Sequence, residues 1–306
     1  MGSAQPNRRT VVLGALAVAL AACSGRGDAS YPELVLATGP PGAVFREIGG
    51  ALATELHGTM PQTEVTVLGT GASTENLRLL DEGRAHLGIS SLDAAASDPD
   101  GVAAIGRLYD SYLHLVVRAD SEIADVDDLT GKRVSFGATG SGTEYTMLRL
   151  AARIGLNVDD TRMDQAASAR ALAKREIDAM FSLTGIPTPA ITDLLRHESL
   201  RCLPLDRQAA DMAEAYPGSY FPATIPATAY PGLPPCPTLS VPNVLLARTD
   251  MPDAVARTIT ETVFTTADAM AAKRPEAAQI NVRTGIATSP IPLHPGAVQW
   301  FRDQKA

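Results

Sequence analysis

Three short polar turns stand where a predicted strand gives way to a predicted helix, at residues 38–43, 69–74 and 137–143. The glycines of the third turn, GATGSGT, let main-chain N–H groups converge, and Ser141 and Thr143 add hydroxyl donors. Ligands of open α/β sheets bind outside the carboxyl ends of strands, where helix dipoles present their positive ends, so the turns predict a site for a small anion. A single such turn is more often a structural connection whose glycine supplies a positive φ, but three in series favour the site.

None of these turns matches a motif for nucleotide binding or catalysis. The third turn lacks the lysine of GxxxxGK[ST], and the second has Thr74 where GxGxxG requires glycine. The five histidines show no metal-ligand spacing, and TGSGT around Ser141 lacks the GxSxG spacing of a nucleophile elbow. We therefore expect no cofactor, no metal and no enzymatic activity. The alternative is a secreted enzyme that uses Ser141 or Asp93 at the cleft.

The elements that must position these turns alternate between short apolar or β-branched runs and helical patterns, which is typical of an α/β fold built from βαβ units. The predicted strands cover residues 34–37, 63–68, 86–89, 112–118, 133–137, 179–182, 200–203 and 243–247. The predicted helices cover residues 44–56, 74–82, 143–154, 168–174, 189–196 and 252–272.

Two stretches predict places where the chain passes between lobes: residues 108–120, which read as one long strand, and residues 230–248, where a proline-rich run precedes a strand. We predict one lobe from residues 33–115 plus 235–306 and the other from residues 116–234, with two crossover strands and a central ligand cleft. Residues 217–242 are too rich in proline for a regular element. A single doubly wound domain with a proline-rich surface loop is the alternative.

The N-terminal residues have the composition of an export signal. Arg8 and Arg9 precede the apolar residues 11–20, and LAAC at residues 20–23 has the form of a lipobox. We expect a signal peptide over residues 1–22, lipidation of Cys23 and a tether over residues 23–32. The lipid would hold the protein on the outer face of the cytoplasmic membrane. The apolar run is too short to span a bilayer. The alternative to a signal peptide is a short helix in the protein core. The paired arginines are compatible with both Sec and twin-arginine export.

Composition bounds the remaining possibilities. The 306 residues are 45% hydrophobic and 20% charged, which predicts one or two globular domains. The formal net charge of −8 argues against a surface for nucleic acid or anionic lipid. Beyond Cys23, the cysteines are Cys202 and Cys236, which in an exported domain are candidates for a disulfide. Two unpaired buried thiols fit the sequence equally well.

Several of these motifs together resemble a known family, the TAXI branch of the extracytoplasmic solute receptors of TRAP transporters. The second turn with its helix, GTGASTENL at residues 69–77, resembles the family's TGGSVENL. Residues 127–143 resemble DLRGKRVSVG followed by GSGT. The first turn with GGAL at residues 49–52, FSLTGIPTPAI at 181–191 and SPIPLHPGA at 289–297 are also similar to family motifs, so the resemblance covers nearly all of the mature chain.

The resemblance implies a two-lobed periplasmic-binding-protein type II fold that closes on a small carboxylate resembling glutamate, glutamine or 2-oxoglutarate. It also implies a TRAP-type membrane permease as partner, and we expect the receptor to be a monomer. The alternative is a sensor with the same two lobes, which passes the bound state to a membrane signalling partner. Carried over by position, the ligand-binding residues are Thr38, Gly39, Thr70, Ser73, Ser91, Asp93, Ser141, Gly142, Thr143, Thr184 and Gly185. Phe45 and Arg46, which stand where the sequence departs from the family, are further candidates.

The sequence departs from this family in the first turn. The family usually has Gly-Gly-Thr-Tyr-Tyr-Pro, whereas residues 43–47 here read AVFRE. Phe45 would keep an aromatic wall, and Arg46 would supply a bidentate clamp for a carboxylate. The alternative for Arg46 is a helix-surface residue paired with a neighbouring glutamate. Asp93 would accept from an amino group of the solute, or would only cap a helix.

Overall fold

The computed structural model describes residues 31–97 and 100–305. The predicted signal peptide, the lipidation site Cys23 and nearly all of the tether lie outside the described residues. No helix within the described ranges is both long enough and apolar enough to cross a membrane.

Strands and helices alternate along the described chain, with two additional 3-10 turns at Asp127–Leu129 and Pro275–Gln279. The strands are β1 (Glu33–Ala37), β2 (Glu64–Leu68), β3 (Leu87–Ser91), β4 (Val102–Arg118), β5 (Arg133–Ser135), β6 (Asp159–Thr161), β7 (Ala179–Thr184), β8 (Leu200–Cys202), β9 (Phe221–Ile225) and β10 (Cys236–Arg248). The helices are α1 (Val44–Thr59), α2 (Ser73–Asp81), α3 (Leu92–Ala95), α4 (Gly142–Ile154), α5 (Gln165–Ala173), α6 (Pro189–Leu194), α7 (Asp206–Ala215), α8 (Asp253–Thr265), α9 (Ala267–Ala271), α10 (Val282–Gly285) and α11 (Pro295–Asp303).

The strands form a mixed sheet in the order β2-β1-β3-β10-β4-β7-β5-β6, with β8 beside β4 and β9 beside β10. β1 is parallel to β2 and β3, and β5 is parallel to β6 and β7. β10 is antiparallel to both β3 and β4, and β4 is antiparallel to β7. The two parallel parts are thus joined by the long antiparallel pair of β4 and β10. The predicted α/β class is confirmed.

The buried apolar side chains fall into two groups on either side of this strand pair. One group draws only on residues 34–109 and 244–301, and the elements packed on it are called lobe 1. The other draws only on residues 113–241, and its elements are called lobe 2. Trp300 and Phe264 stack in lobe 1, and Phe136 meets Phe181 edge to face in lobe 2. Both β4 and β10 therefore contribute side chains to the core of lobe 1 at one end and to the core of lobe 2 at the other. The predicted lobe boundaries at residues 115 and 235 stay a prediction.

The prediction for the proline-rich stretch is the largest error in the predicted secondary structure. Residues 217–242 were expected to lack regular structure, yet they contain β9 and the first half of β10. Proline is tolerated in strands at edges and irregularities. Pro222 lies in β9, which pairs only with β10 among the described strands, and Pro242 lies where the register of β10 against β4 shifts.

Other elements were missed or joined. The predicted helix over residues 252–272 is divided at Thr266 into α8 and α9. The sequence did not predict α7, α11 or the short strand β6. Its long strand over residues 108–120 covers only the later part of β4, since residues 102–107 were not recognised as the beginning of this strand.

The two remaining cysteines are free thiols in this structure. Cys202 ends β8, and Cys236 begins β10. The side chain of Cys236, and next burial, raise the pKa of Cys202 well above its ordinary value. The Cys236 thiol donates to the carbonyl of Pro237 at 3.8 Å. A disulfide between the two cysteines stays a prediction.

Candidate functional site

A cavity of about 50 Å³ lies where lobe 1 meets lobe 2. Its wall combines the first residues of several helices with residues of β3, β4, β7 and β10. The predicted binding residues that line the cavity are Phe45, Ser73, Ser91, Ser141, Gly142, Thr143 and Thr184. These residues come from both lobes, so the cavity exists only when the lobes meet.

Four helices begin at this cavity. The first residues of α1, α2, α4 and α5, which are Val44, Ser73, Gly142 and Gln165, all line it. The N-termini of α1 and α4 each contribute part of a positive charge through N–H groups that are open in the described structure. In the first turn of α2, two N–H groups instead donate to the carbonyl of Gly140. Among the described lining residues Asp164 is the one charged side chain, and it caps α5 by accepting from the N–H of Ala167 at 2.7 Å. An anion here would be held by helix ends and hydroxyls rather than by a cationic side chain.

The start of α4 shows which donors are free. Ser141 Oγ accepts from the N–H of Glu144 at 3.1 Å, and Glu144 Oε2 accepts from the N–H of Gly140 at 2.7 Å. Within the described chain, no hydrogen bond uses the N–H groups of Gly142 and Thr143. The predicted third turn therefore keeps two main-chain donors at the cavity wall.

Six predicted binding residues do not line the cavity. Thr38 Oγ1 donates to the carbonyl of Leu68 at 2.7 Å, and Thr70 Oγ1 donates to Asn76 Oδ1 at 2.6 Å. These two hydroxyls hold the first and second turns against neighbouring strands and helices. Gly39 belongs to the first turn, where an added Cβ would lie 3.2 Å from Phe45 Cβ.

Arg46 and Gly185 also lie outside the lining. Arg46 Nη1 donates to the carbonyl of Val67 at 2.8 Å, so its guanidinium supports β2. It forms no ion pair with a glutamate among the described residues, and its role as a clamp for a carboxylate stays a prediction. Gly185 follows β7, and a Cβ there would lie 2.9 Å from Glu276 and 3.0 Å from Tyr109. It allows close packing behind the wall.

The sixth, Asp93, links the two lobes. Its Oδ2 accepts from Thr146 Oγ1 at 2.6 Å and from the Tyr220 hydroxyl at 2.8 Å, both in lobe 2, while Oδ1 accepts from the N–H of Ala94 at 2.8 Å. Burial, and next the charge of Asp93, raise the pKa of Tyr220, which therefore stays a neutral donor. Both carboxylate oxygens accept hydrogen bonds within the protein, and Asp93 joins the lobes without lining the cavity. Its contact with solute stays a prediction.

The second and third turns touch across the same interface. The carbonyl of Gly140 in lobe 2 accepts from the N–H groups of Thr74 and Glu75 at 3.0 and 3.2 Å. These donors belong to the first turn of α2 in lobe 1. The described conformation is therefore a closed one, in which the N-terminus of α2 is capped by the opposite lobe.

The cavity residues missed from the sequence include three polar strand residues, Tyr109 and Ser111 in β4 and Asn243 in β10, as well as Asp164 and Gln165 at the start of α5. Asn243 is fully buried and Tyr109 nearly so, and the side chains of both carry polar atoms without a hydrogen-bond partner in the described structure. Ser91 Oγ is a third such atom in the lining. The asparagine inside a strand was the signal available for Asn243, since Asn is depleted in strands.

Behind the cavity, His114 of β4 lies in a buried polar network. Its Nδ1 is 2.9 Å from the carbonyl of Tyr112 and 3.1 Å from that of Ser182, and its Nε2 is 2.9 Å from the hydroxyl of Tyr230. Burial lowers the pKa of His114 to about 4, against the smaller opposing effect of the two carbonyls. The ring is therefore neutral in the folded protein at neutral pH.

The burial of neutral His114 predicts that acid destabilises the folded protein. In the unfolded chain His114 takes up a proton near pH 6.5, whereas the folded protein resists it until about pH 4. The free energy of unfolding should fall by roughly 3 kcal/mol as pH drops through this window. Urea unfolding at a series of pH values would measure it. His114→Gln should remove most of the fall, and His57→Gln at an exposed position should keep it; equal slopes in wild type and His114→Gln would contradict the assignment.

Comparisons with known proteins agree with this architecture. The family model of the NMT1-like family matches residues 36–304. The periplasmic aliphatic sulphonate binding protein SsuA from Escherichia coli matches at 18% identity and a TM-score of 0.52, over 90% of this chain and 84% of that one. The substrate binding protein of an amino acid ABC transporter matches at 14% identity and a TM-score of 0.51, over 82% of this chain and 98% of that one. A mutant of ArgBP from T. maritima matches at 14% identity and a TM-score of 0.53, over 81% of this chain and 95% of that one. The predicted two-lobed periplasmic-binding-protein type II fold is thus confirmed.

Proposed function

Because the chain belongs to the NMT1-like family, we propose that it is an extracytoplasmic receptor that closes its two lobes on a small carboxylate. The observation that carries the proposal is the convergence of four helix N-termini, from both lobes, on one cavity that also holds buried polar atoms without partners. Such a cavity is arranged for an anion with several hydrogen-bonding groups.

The energy required explains why both lobes contribute. A single helix N-terminus stabilises an anion by about 0.3 to 2 kcal/mol, whereas micromolar binding requires about 8 kcal/mol. The cavity adds the free N–H groups of Gly142 and Thr143 and the hydroxyls of Ser91 and Tyr109. Opening the lobes would separate these groups, so affinity depends on closure.

One of the similar structures supports an anionic solute. The Escherichia coli protein is a binding protein for aliphatic sulphonates, which are anions as carboxylates are. The sequence resemblance to TAXI receptors favours a carboxylate instead. Both classes belong in a ligand screen.

The cavity volume limits the solute in the closed form. About 50 Å³ is a third of the ~150 Å³ cavity that accepts benzene. Solutes of glutamate size therefore need the lobes to sit farther apart than they do here. We propose a small carboxylate as the solute, because the smallest carboxylates need the least widening of the cavity.

We propose binding without turnover. Ser141 Oγ is engaged with the N–H of Glu144, and no histidine is among the described cavity residues that would activate it. The rival enzyme hypothesis requires such a base. Turnover of a bound carboxylate, abolished in Ser141→Ala, would overturn this part of the proposal.

Localisation and partner follow from the sequence. We propose that lipid on Cys23 anchors the receptor to the outer face of the cytoplasmic membrane and that a TRAP-type permease receives the solute. The motif resemblance supports the TRAP class, although one similar structure belongs to an amino acid ABC transporter. Solute uptake reconstituted with either class of permease would distinguish them. Activity with neither, together with a response from a signalling kinase, would favour the sensor.

The proposal predicts that one class of small anion stabilises the protein. At a hundred times its Kd a ligand adds about 2.7 kcal/mol, which raises Tm by roughly 5 to 10 °C. Thermal unfolding of residues 24–306 should be recorded with small monocarboxylates, glutamate, glutamine, 2-oxoglutarate and alkanesulphonates. We expect the shift with a small carboxylate. A shift in Tm with sulphonates alone would mean that the solute is a sulphonate and not a carboxylate. No shift with any compound of the panel would contradict the receptor function.

A further inference from the structure

The cavity wall formed by β4 and β10 contains a buried amide oxygen with no partner. Asn243 is fully buried, lines the cavity and has no described hydrogen bond at Oδ1. We propose that Asn243 selects solutes that carry an N–H or O–H donor beside their carboxylate. This inference rests on the proposed function and specifies the chemistry of its solute.

The orientation of this amide is fixed by the protein. Asn243 Nδ2 donates to the carbonyl of Tyr109 at 3.0 Å and to Ser111 Oγ at 2.8 Å. Turning the amide over would place Oδ1 against the carbonyl of Tyr109, which is also an acceptor. Both amide protons are therefore used inside the sheet, and Oδ1 remains available only as an acceptor.

The other unpartnered atoms of the lining are less selective. Ser91 Oγ and the Tyr109 hydroxyl can each donate or accept, so they tolerate either kind of group on a solute. Gln165 Oε1 also lacks a partner, but no described hydrogen bond fixes the Gln165 amide, which can turn to present either end. Asn243 is thus the anchored acceptor, while the starts of α1 and α4 provide the donors that suit a carboxylate.

A solute without a donor would leave Oδ1 buried and unsatisfied. The penalty for such an atom corresponds to a loss in affinity of about tenfold to a hundredfold. Methyl, hydroxyl and ammonium groups are close in size, so shape alone would not produce this difference.

Matched ligands test the proposal on the unaltered protein. Propionate, glycolate and glycine share a five-atom framework and differ at one terminal group, as isobutyrate, lactate and alanine do with six atoms. Titration calorimetry should show glycolate, glycine or their larger counterparts binding at least tenfold more tightly than the methyl compound. Equal affinity across a set would overturn the donor requirement while leaving the receptor function intact. Binding by no member of either set would overturn the small-carboxylate function and this inference with it.

Two substitutions assign the effect to Asn243. Asn243→Leu should reduce the preference for donor-bearing solutes to within about twofold, with circular dichroism confirming the fold. Asn157→Leu makes the same chemical change at an exposed position outside the cavity and should leave the preference unchanged. If Asn243→Leu does not fold, Asn243→Ser provides a smaller replacement that should lower the preference as well. A preference retained in a folded Asn243 variant, or lost in Asn157→Leu, would contradict the assignment.

Discussion

Gly71→Ala should hold the two lobes apart and weaken solute binding by tenfold or more. A Cβ at residue 71 would lie 2.5 Å from the carbonyl oxygen of Thr139 in lobe 2 and 3.0 Å from Glu75 Oε2. Thr139 presents main chain, which cannot move aside as a flexible side chain would. Gly71 does not have a positive φ, so alanine adds no backbone strain within its own turn. The clash therefore acts on closure and spares both cores.

Gly50→Ala is the matched control, because it makes the same chemical change in lobe 1. No atom lies within 4 Å of a Cβ at residue 50, which is inside α1. Alanine there should stabilise the protein by up to about 1 kcal/mol without affecting closure. Small-angle X-ray scattering should show a larger radius of gyration for Gly71→Ala only, and calorimetry should show weaker binding for that variant only. An unchanged radius and affinity in Gly71→Ala would mean that the lobes do not close as described.

Asp93→Ala should have the largest effect on the free energy of the closed form. It removes the shared acceptor of Thr146 and Tyr220 and leaves both hydroxyls buried without a partner. Hydrogen bonds to a charged acceptor contribute about 1.5 to 3 kcal/mol each, so the loss is roughly 3 kcal/mol or more. The closed population and the solute affinity should fall together, the affinity by at least about tenfold.

A double-mutant cycle separates this contact from a general loss of stability. Asp93→Ala, Tyr220→Phe and the double variant should give a coupling energy of about 0.5 to 3 kcal/mol by urea unfolding. Asp250→Ala is the control, since Asp250 is an exposed carboxylate in lobe 1 paired with Arg248, and its loss should cost at most about 1 kcal/mol. Additive effects of Asp93→Ala and Tyr220→Phe would show that their hydrogen bond does not join the lobes.

The sequence predicted the part of the site that depends on local chain geometry. Glycines and hydroxyls between a strand and a helix specify a turn through their own φ values and hydrogen bonds, and Ser141 caps α4 as such a residue should. The positions of Ser73, Gly142 and Thr143 at the cavity follow from the parallel strands that carry their turns.

The rest depends on contacts between distant parts of the chain. From the sequence, a carboxylate in a short helix is equally compatible with binding solute, capping the helix or joining the two lobes. For Asp93, the hydrogen bond from Tyr220 of lobe 2 shows that it joins the lobes. The carbonyl of Val67, on a strand 21 residues away, withdraws Arg46 from the cavity. Asn243 reaches the site because β10 runs between β3 and β4, a pairing that no local pattern specifies.

The position of β10 between β3 and β4 also orders the events by which the chain folds. Ser91 of β3 faces Asn243 of β10 across the sheet, so lobe 1 has to close a loop that contains all of lobe 2. The core of lobe 2 draws only on residues 113–241 and has shorter loops to close. During synthesis, lobe 2 can therefore consolidate while β10 and the helices after it are still arriving. Until then β3 and β4 lack the strand that separates them, and this unpaired centre of the sheet is where the nascent chain is most exposed to aggregation.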